Sequence, residues 1–121
     1  YAALFSEVVV LGAKVGIPPA TIREVIAPSR MGNGFFNTFM AYVVDRDRDS
    51  HKFSLDNAAK DIRYLNDMAA NAQMVNIMAG AAKHYYTPAV ACGHGSDYVP
   101  HLSDHVARLN GIDLEKIVTG K

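Results

Sequence analysis

The chain has 121 residues, half of them apolar and a fifth charged, and its twelve basic residues balance twelve acidic ones. This length suits one domain with a single core, and a neutral chain offers no electrostatic surface for nucleic acid or an anionic membrane. No apolar run approaches the ~20 residues that span a bilayer. The single cysteine, Cys92, excludes an internal disulfide. We therefore predict a cytoplasmic protein with no nucleic-acid or membrane partner.

The first half of the chain is predicted to be helical. Apolar residues at helical spacing indicate a first helix over about Tyr1–Lys14, with Gly16 as its stop. Pro18 and Pro19 open a short second helix, and the segment FFNTFMAYVV predicts a third. Because the helical spacing is present from the first residues, we expect that the chain begins inside a helix.

The fourth helix has the clearest pattern. Ser54 is a good N-cap, and Asp56 lies in the first turn, where the helix dipole favours an anion. The predicted buried stripe comprises Leu55, Ala58, Ala59, Ile62, Leu65 and Ala69. A separate polar stripe comprises Asn57, Lys60, Asp61 and Tyr64.

The remainder of the chain is also predicted to be helical. A fifth helix covers about Asn76–Tyr86, and Pro88 interrupts or restarts the pattern. The segment GHGSD is a loop, Ser103–Leu109 could form a short last helix, and residues 111–121 are a tail. No strand-like alternation of useful length occurs, so the fold class is all-α.

Two segments carry a family resemblance. KFSLDNAAKD, ending at Asp61, and GHGSDY, at Gly93–Tyr98, occur in an order and at a separation that resemble the second domain of the β-hydroxyacid dehydrogenases. That family includes 3-hydroxyisobutyrate dehydrogenase and tartronate semialdehyde reductase, with 6-phosphogluconate dehydrogenase as a distant relative. The resemblance covers Phe5 to Tyr98. It implies that residues 1–121 are a helical substrate and dimerisation domain beginning within the interdomain helix, with a Rossmann domain outside this chain.

The resemblance assigns cofactor-binding roles to three residues. Phe53, Lys60 and Asp61 match the family's aromatic residue followed eight positions later by the Asp of a Lys-Asp pair. In the family the lysine lies near the nicotinamide end of the cofactor, and the aspartate organises the cleft, plausibly by pairing with a catalytic lysine. From spacing alone, a solvated helix surface is the favoured interpretation of the pair.

Further matches concern the substrate pocket or the subunit interface. Gly93, Gly95, Asp97 and Tyr98 match the family's glycine, glycine, Asp, aromatic pattern, and Asp97 could reach the cofactor or the domain interface. A plain turn is the alternative. Phe35 is the nearest match to an aromatic that follows a glycine-containing loop in relatives. Its alternative role is in the core, and the chain lacks the tryptophan frequent in relatives.

The histidines offer a rival chemistry. His101 and His105 are four residues apart, and Cys92, His94, Asp97 and Asp104 lie nearby in sequence. Imidazole, thiolate and carboxylate can together bind zinc, but strong zinc signatures have tighter pairings. We therefore expect exposed histidines and no metal site.

The function implied by the resemblance is that of part of an NAD- or NADP-dependent oxidoreductase acting on a small β-hydroxy acid. The dinucleotide would be bound mainly by the missing Rossmann domain. The catalytic lysine, a general acid/base, is expected upstream of Tyr1, so the chain alone is predicted to be inactive. The alternative is a stand-alone helical dimerisation or interaction module.

A homo-oligomer is also expected. The first helix carries VVVLGA, and the third carries four aromatic residues in eight positions. One small domain is not expected to bury both faces, and large exposed apolar patches usually mark interfaces.

Overall fold

The structure is a computed structural model that describes all residues 1–121. The chain forms seven α-helices and no sheet, which confirms the predicted all-α fold. The helices are α1 (Ala2–Lys14), α2 (Pro19–Ile26), α3 (Gly34–Asp45), α4 (Leu55–Asn71), α5 (Ile77–Ala89), α6 (Leu102–Leu109) and α7 (Leu114–Thr119). None of them is both long enough and apolar enough to cross a lipid bilayer.

Side-chain caps set the starts of three helices. Asn33 Oδ1 accepts from the Phe36 amide at 2.8 Å, and Ser54 Oγ accepts from the Asn57 amide at 3.2 Å. Asp113 caps α7 in the same way. Each cap satisfies an amide that has no partner within its own helix. The predicted N-cap at Ser54 is therefore confirmed.

The core lies where α1 and α3 meet α6. α1 packs along α6, α2 packs against α1 and α3, and α4 pairs with α5. The largest fully buried apolar side chains are Val9, Phe36, Phe39, Met40, Val43, Leu55, Leu102, Val106 and Leu114. Because three aromatic residues of α3 are buried and Phe35 is half-buried, α3 does not present the exposed aromatic face that the sequence suggested.

The fifth helix is longer than the sequence predicted. α5 continues through Pro88 to Ala89 and passes into a wider π-type turn at Val90–His94. Proline removes one helix hydrogen bond, while Thr87 Oγ1 donates to the Lys83 carbonyl at 3.0 Å beside it. α5 therefore ends at Ala89, and the turn that follows it leads to His94.

One position of the predicted buried stripe on α4 is wrong. Leu65 is 46% exposed, whereas the neighbouring Asn66 is half-buried. The Asn66 amide donates to the Ile62 carbonyl at 2.7 Å and to the Ala79 carbonyl at 3.4 Å, and its oxygen accepts from Asn76 Nδ2 at 2.7 Å. Asn66 therefore connects α4 to the start of α5.

A polar network joins α3 to α6. The Tyr42 hydroxyl donates to Asp104 Oδ2 at 2.6 Å, and Arg46 Nη2 lies 2.9 Å from the same oxygen. Burial and the Asp104 carboxylate raise the pKa of Tyr42 far above its ordinary value. Asp104, which the sequence analysis named with the possible zinc ligands, therefore binds Tyr42 and Arg46.

Candidate functional site

The two sequence segments that carry the family pattern meet in space. The Leu55 amide donates to the Asp97 carbonyl and the Val99 amide donates to the Phe53 carbonyl, both at 2.8 Å. The Asp56 amide donates to the Gly95 carbonyl at 2.9 Å. We call this junction of residues 53–56 with residues 95–99 the bridge. It satisfies first-turn amides of α4 that have no partner in their own helix.

The two glycines of the loop are needed for different reasons. Gly93 has φ +88°, a left-handed conformation that other residues resist. Gly95 has an ordinary φ of −59°, but a Cβ there would overlap the Asp56 carboxylate. A left-handed conformation is therefore required only at Gly93, whereas a Cβ at Gly95 would need the exposed Asp56 side chain to rotate away.

Lys60 and Asp61 lie on the exposed side of α4. Lys60 Nζ is 3.5 Å from Asp61 Oδ1, and the two side chains are 45% and 59% exposed. Neither belongs to the core, so their removal would leave no cavity. The polar stripe predicted on this helix is thus exposed in the isolated chain.

Lys60 also lines a half-open groove of about 530 Å³ between α4 and the end of α5. We call it the α4–α5 groove. It is lined by Asp56, Ala59, Lys60, Arg63, Lys83, Thr87, Val90 and Ala91. Three cations therefore face one carboxylate, and neither Arg63 nor Lys83 forms an ion pair. Such a groove favours an anionic ligand.

Sequence reasoning missed two of these cations. Arg63 follows Lys60 by three positions, so the helical spacing that defined the polar stripe could have included it. Lys83 is on α5, and only the pairing of α4 with α5 brings it to the groove.

Phe53 and Phe35 lie in different surroundings. Phe53 is 39% exposed and connects to the loop through its bridge carbonyl. Phe35 is half-buried in an aromatic cluster, with ring centroids 6.2 Å from those of Phe5 and Tyr1 and 5.1 Å from that of His51. Phe35 lines neither the α4–α5 groove nor the surroundings of Asp97.

The Asp97 side chain lies among histidines. Its Oδ2 is 3.2 Å from His94 Nδ1 and 3.7 Å from His105 Nε2, and its Oδ1 is 3.7 Å from His101 Nδ1. We call His94, Asp97 and His105 the histidine cluster. The expectation of exposed histidines is wrong for His101, which is buried, and for His105, whose side chain is only 12% exposed, whereas the His94 side chain is 43% exposed.

Burial determines the charge state of the inner histidines. It lowers the pKa of His101, opposed by the Asp97 carboxylate. Burial also lowers the pKa of His105, and the charges of His94 and Arg108 lower it further. Both rings therefore favour the neutral form, whose free nitrogen is a potential ligand.

The comparison with known families supports the resemblance found in the sequence. The family model described as NAD-binding of NADP-dependent 3-hydroxyisobutyrate dehydrogenase matches residues 1–103. The matched range includes the bridge, the α4–α5 groove, His94 and Asp97, whereas His105 lies beyond it. No curated protein matches the chain.

Proposed function

The chain belongs to the family of NAD-binding C-terminal domains of NADP-dependent 3-hydroxyisobutyrate dehydrogenases, and from this premise we propose that it serves in an oxidoreductase acting on a small β-hydroxy acid. In this proposal the domain contributes part of the cofactor cleft and of a subunit interface. An N-terminal Rossmann domain would bind most of the NAD or NADP.

The charge of the α4–α5 groove carries this proposal. The phosphates of a dinucleotide and the carboxylate of a hydroxy acid are both anions. Lys60, Arg63 and Lys83 line the groove with Asp56 as the only carboxylate. An anionic ligand therefore explains the grouping of Lys60 with two further cations better than solvation alone does.

The residues of this chain would bind and orient rather than transfer the hydride. The nicotinamide, when bound, supplies the hydride chemistry. Asp61 Oδ1 lies 3.5 Å from Lys60 Nζ and forms an ion pair with it. Phe53 offers a partly exposed ring at the bridge, adjacent in sequence to the start of α4. The general acid/base lysine is proposed to lie outside residues 1–121.

Titration of the isotope-labelled chain with NADPH tests the proposal by NMR. We expect the amide signals of the groove to shift, including those of residues 56–63 and 83–91, and we expect Lys60→Gln to weaken this response. Lys52→Gln is the matched control, because Lys52 is exposed, pairs with Asp49 and lies outside the groove. Equal responses in the two variants, or shifts confined to other surfaces, would contradict the assignment.

In the proposed two-domain enzyme, Lys60→Ala should reduce kcat/KM by about 10²–10³-fold, by analogy with the loss of one preorganised donor to a developing charge. Stability should change by at most about 0.5 kcal/mol, since the residue is exposed. Asp61→Asn retains the side-chain shape and removes the charge. Wild-type kcat and KM in both variants would show that the pair is merely solvated.

A helical self-association module remains the second candidate. Apolar side chains of α1 are exposed along one face, and the exposed fractions of Leu4, Leu11 and Val15 are 49%, 65% and 64%. Val8, on the same face, is 36% exposed. This observation favours a partner surface on α1 and is compatible with the oxidoreductase proposal.

A further inference from the structure

The histidine cluster has the spacing of a metal site. His94, Asp97 and His105 each offer one ligand atom, and these atoms lie within 4.8 Å of one another. Asp97 Oδ2 is 3.2 Å from His94 Nδ1 and 3.7 Å from His105 Nε2. With zinc bonds of about 2.0–2.2 Å in tetrahedral geometry, ligand atoms are about 3.4 Å apart. Both distances therefore lie close to the zinc spacing before any ion binds.

The three side chains are held by separate elements. His94 ends the wider turn that follows α5, and His105 lies on α6. Asp97 is fixed between them because its carbonyl accepts from the Leu55 amide in the bridge. Little reorganisation is needed to bring the ligands together, which favours binding.

A third histidine lies beside the cluster. Asp97 Oδ1 is 3.7 Å from His101 Nδ1, which is beyond hydrogen-bond distance. The buried His101 ring stacks on Tyr42 with centroids 4.0 Å apart. His101 therefore borders the proposed site without serving as a ligand.

We propose that His94, Asp97 and His105 bind one Zn²⁺ ion, with a fourth coordination position open to solvent or a small ligand. Two imidazoles and one carboxylate are a ligand set that zinc uses when it retains an open position. A cavity of about 310 Å³, lined in part by His94, His105 and Cys92, adjoins the site. This inference goes beyond the proposed cofactor role and does not rest on it, because no residue of the cluster lines the α4–α5 groove.

Arg108 distinguishes a metal site from a purely structural cluster. Its Nη1 lies 3.3 Å from His105 Nδ1. When Nε2 of His105 binds a metal, the neutral ring carries its proton on Nδ1. The Arg108 guanidinium then faces a hydrogen-bond donor at Nδ1 and not an acceptor. Arg108→Gln should therefore tighten zinc binding. A cluster that serves only to stabilise the fold gives no reason for such a gain.

The test uses the 121-residue chain without a polyhistidine tag, freed of metal by a chelator and titrated with ZnCl₂ by calorimetry at pH 7.5. We expect one ion per chain. Loss of an outer contact alone can cost about 10–100-fold in affinity, so His94→Gln and Asp97→Asn should weaken binding at least as much. His84→Gln, an exposed histidine on α5, is the control and should bind as wild type does.

Cobalt substitution keeps the test decisive if a variant folds poorly. Co²⁺ bound to the wild-type chain should show visible bands of tetrahedral coordination, which Zn²⁺ should abolish by displacement. Lys60→Gln should bind zinc normally, so failure of the groove assignment and failure of the metal site are distinguishable. No zinc binding, full binding by His94→Gln, or loss of binding in His84→Gln would overturn the proposal.

Discussion

Individual residues of the loop after α5 have roles that their chemical type alone does not reveal. Gly93 adopts φ +88° and has open space around its Cα, whereas a Cβ at Gly95 would displace the carboxylate of the exposed Asp56 side chain. A left-handed conformation costs an L-residue about 1–2 kcal/mol. Gly93 is thus important for its backbone conformation, and Gly95 for its contact with the Asp56 side chain.

Gly93→Ala should accordingly lower the free energy of unfolding by about 1–2 kcal/mol. Gly34→Ala is the matched control, because Gly34 also has open space but no left-handed φ, and there alanine should be neutral or mildly stabilising. Urea unfolding of both variants measures the difference. Equal stability of Gly93→Ala and wild type would show that the loop can adopt another conformation.

Tyr86 should make the fold sensitive to alkali. Burial raises its pKa to about 12, against about 10 in the unfolded chain. Above pH 10 the unfolded state loses this proton first, so the contribution is complete below pH 10 and falls by about 1.4 kcal/mol per pH unit up to the folded pKa. Tyr86→Phe should reduce the slope of urea stability against pH between 10 and 12. Tyr64→Phe, at a residue 57% exposed, is the control, and an unchanged slope in Tyr86→Phe would contradict the assignment.

At the scale of the elements, the polar side chain of Asn66 joins α4 to α5. The sequence instead predicted a buried apolar side chain at Leu65. Asn66→Ala should destabilise the chain by about 1–3 kcal/mol, because it removes the side-chain hydrogen bonds to the Ile62 carbonyl and from Asn76 Nδ2, each worth about 0.5–1.5 kcal/mol. Leu65→Ala, one position earlier, should cost much less, since Leu65 is 46% exposed. Thermal unfolding of the two variants measures the contrast. A larger loss in Leu65→Ala would restore the buried stripe predicted from the sequence.

The existence of most elements could be predicted from the sequence, because apolar periodicity and caps act locally. The Ser54 cap and the stop near Gly16 are examples. The extent of α5 could not be predicted, since the helix continues through Pro88 to Ala89 although proline usually ends or kinks a helix. α7 was predicted only as a tail, because six residues are too few for a clear periodicity.

The candidate site was predictable only in part. Lys60 and Asp61 followed from the family resemblance, but the groove needs Lys83 from α5. The members of the histidine cluster were named in the sequence, but a metal site was not expected, because their spacing matches no strong zinc signature. The turn after α5, the loop and α6 bring the three residues together, and this approach cannot be read from the spacing.

At the scale of the molecule, we expect the chain to self-associate through α1. Its apolar face is exposed, and contiguous apolar patches of this kind usually mark interfaces. Sedimentation equilibrium at tens of micromolar should give at least the dimer mass. Leu11→Gln should shift the equilibrium towards monomer, whereas Val25→Gln, equally exposed but on α2, should not. Monomer mass alone for the wild type would contradict this expectation.

The bridge has a consequence for how the chain can vary. Phe53 and Val99 are hydrogen-bonded. The helical hairpin formed by α4 and α5 therefore begins and ends at the same place in the domain. Its far end, residues 72–76, can therefore lengthen without displacing either anchor, because extra loop length costs little entropy. The base of the hairpin is part of the core through Leu55, Tyr86 and Ala89, whereas its tip is a natural place to insert a reporter domain or a label.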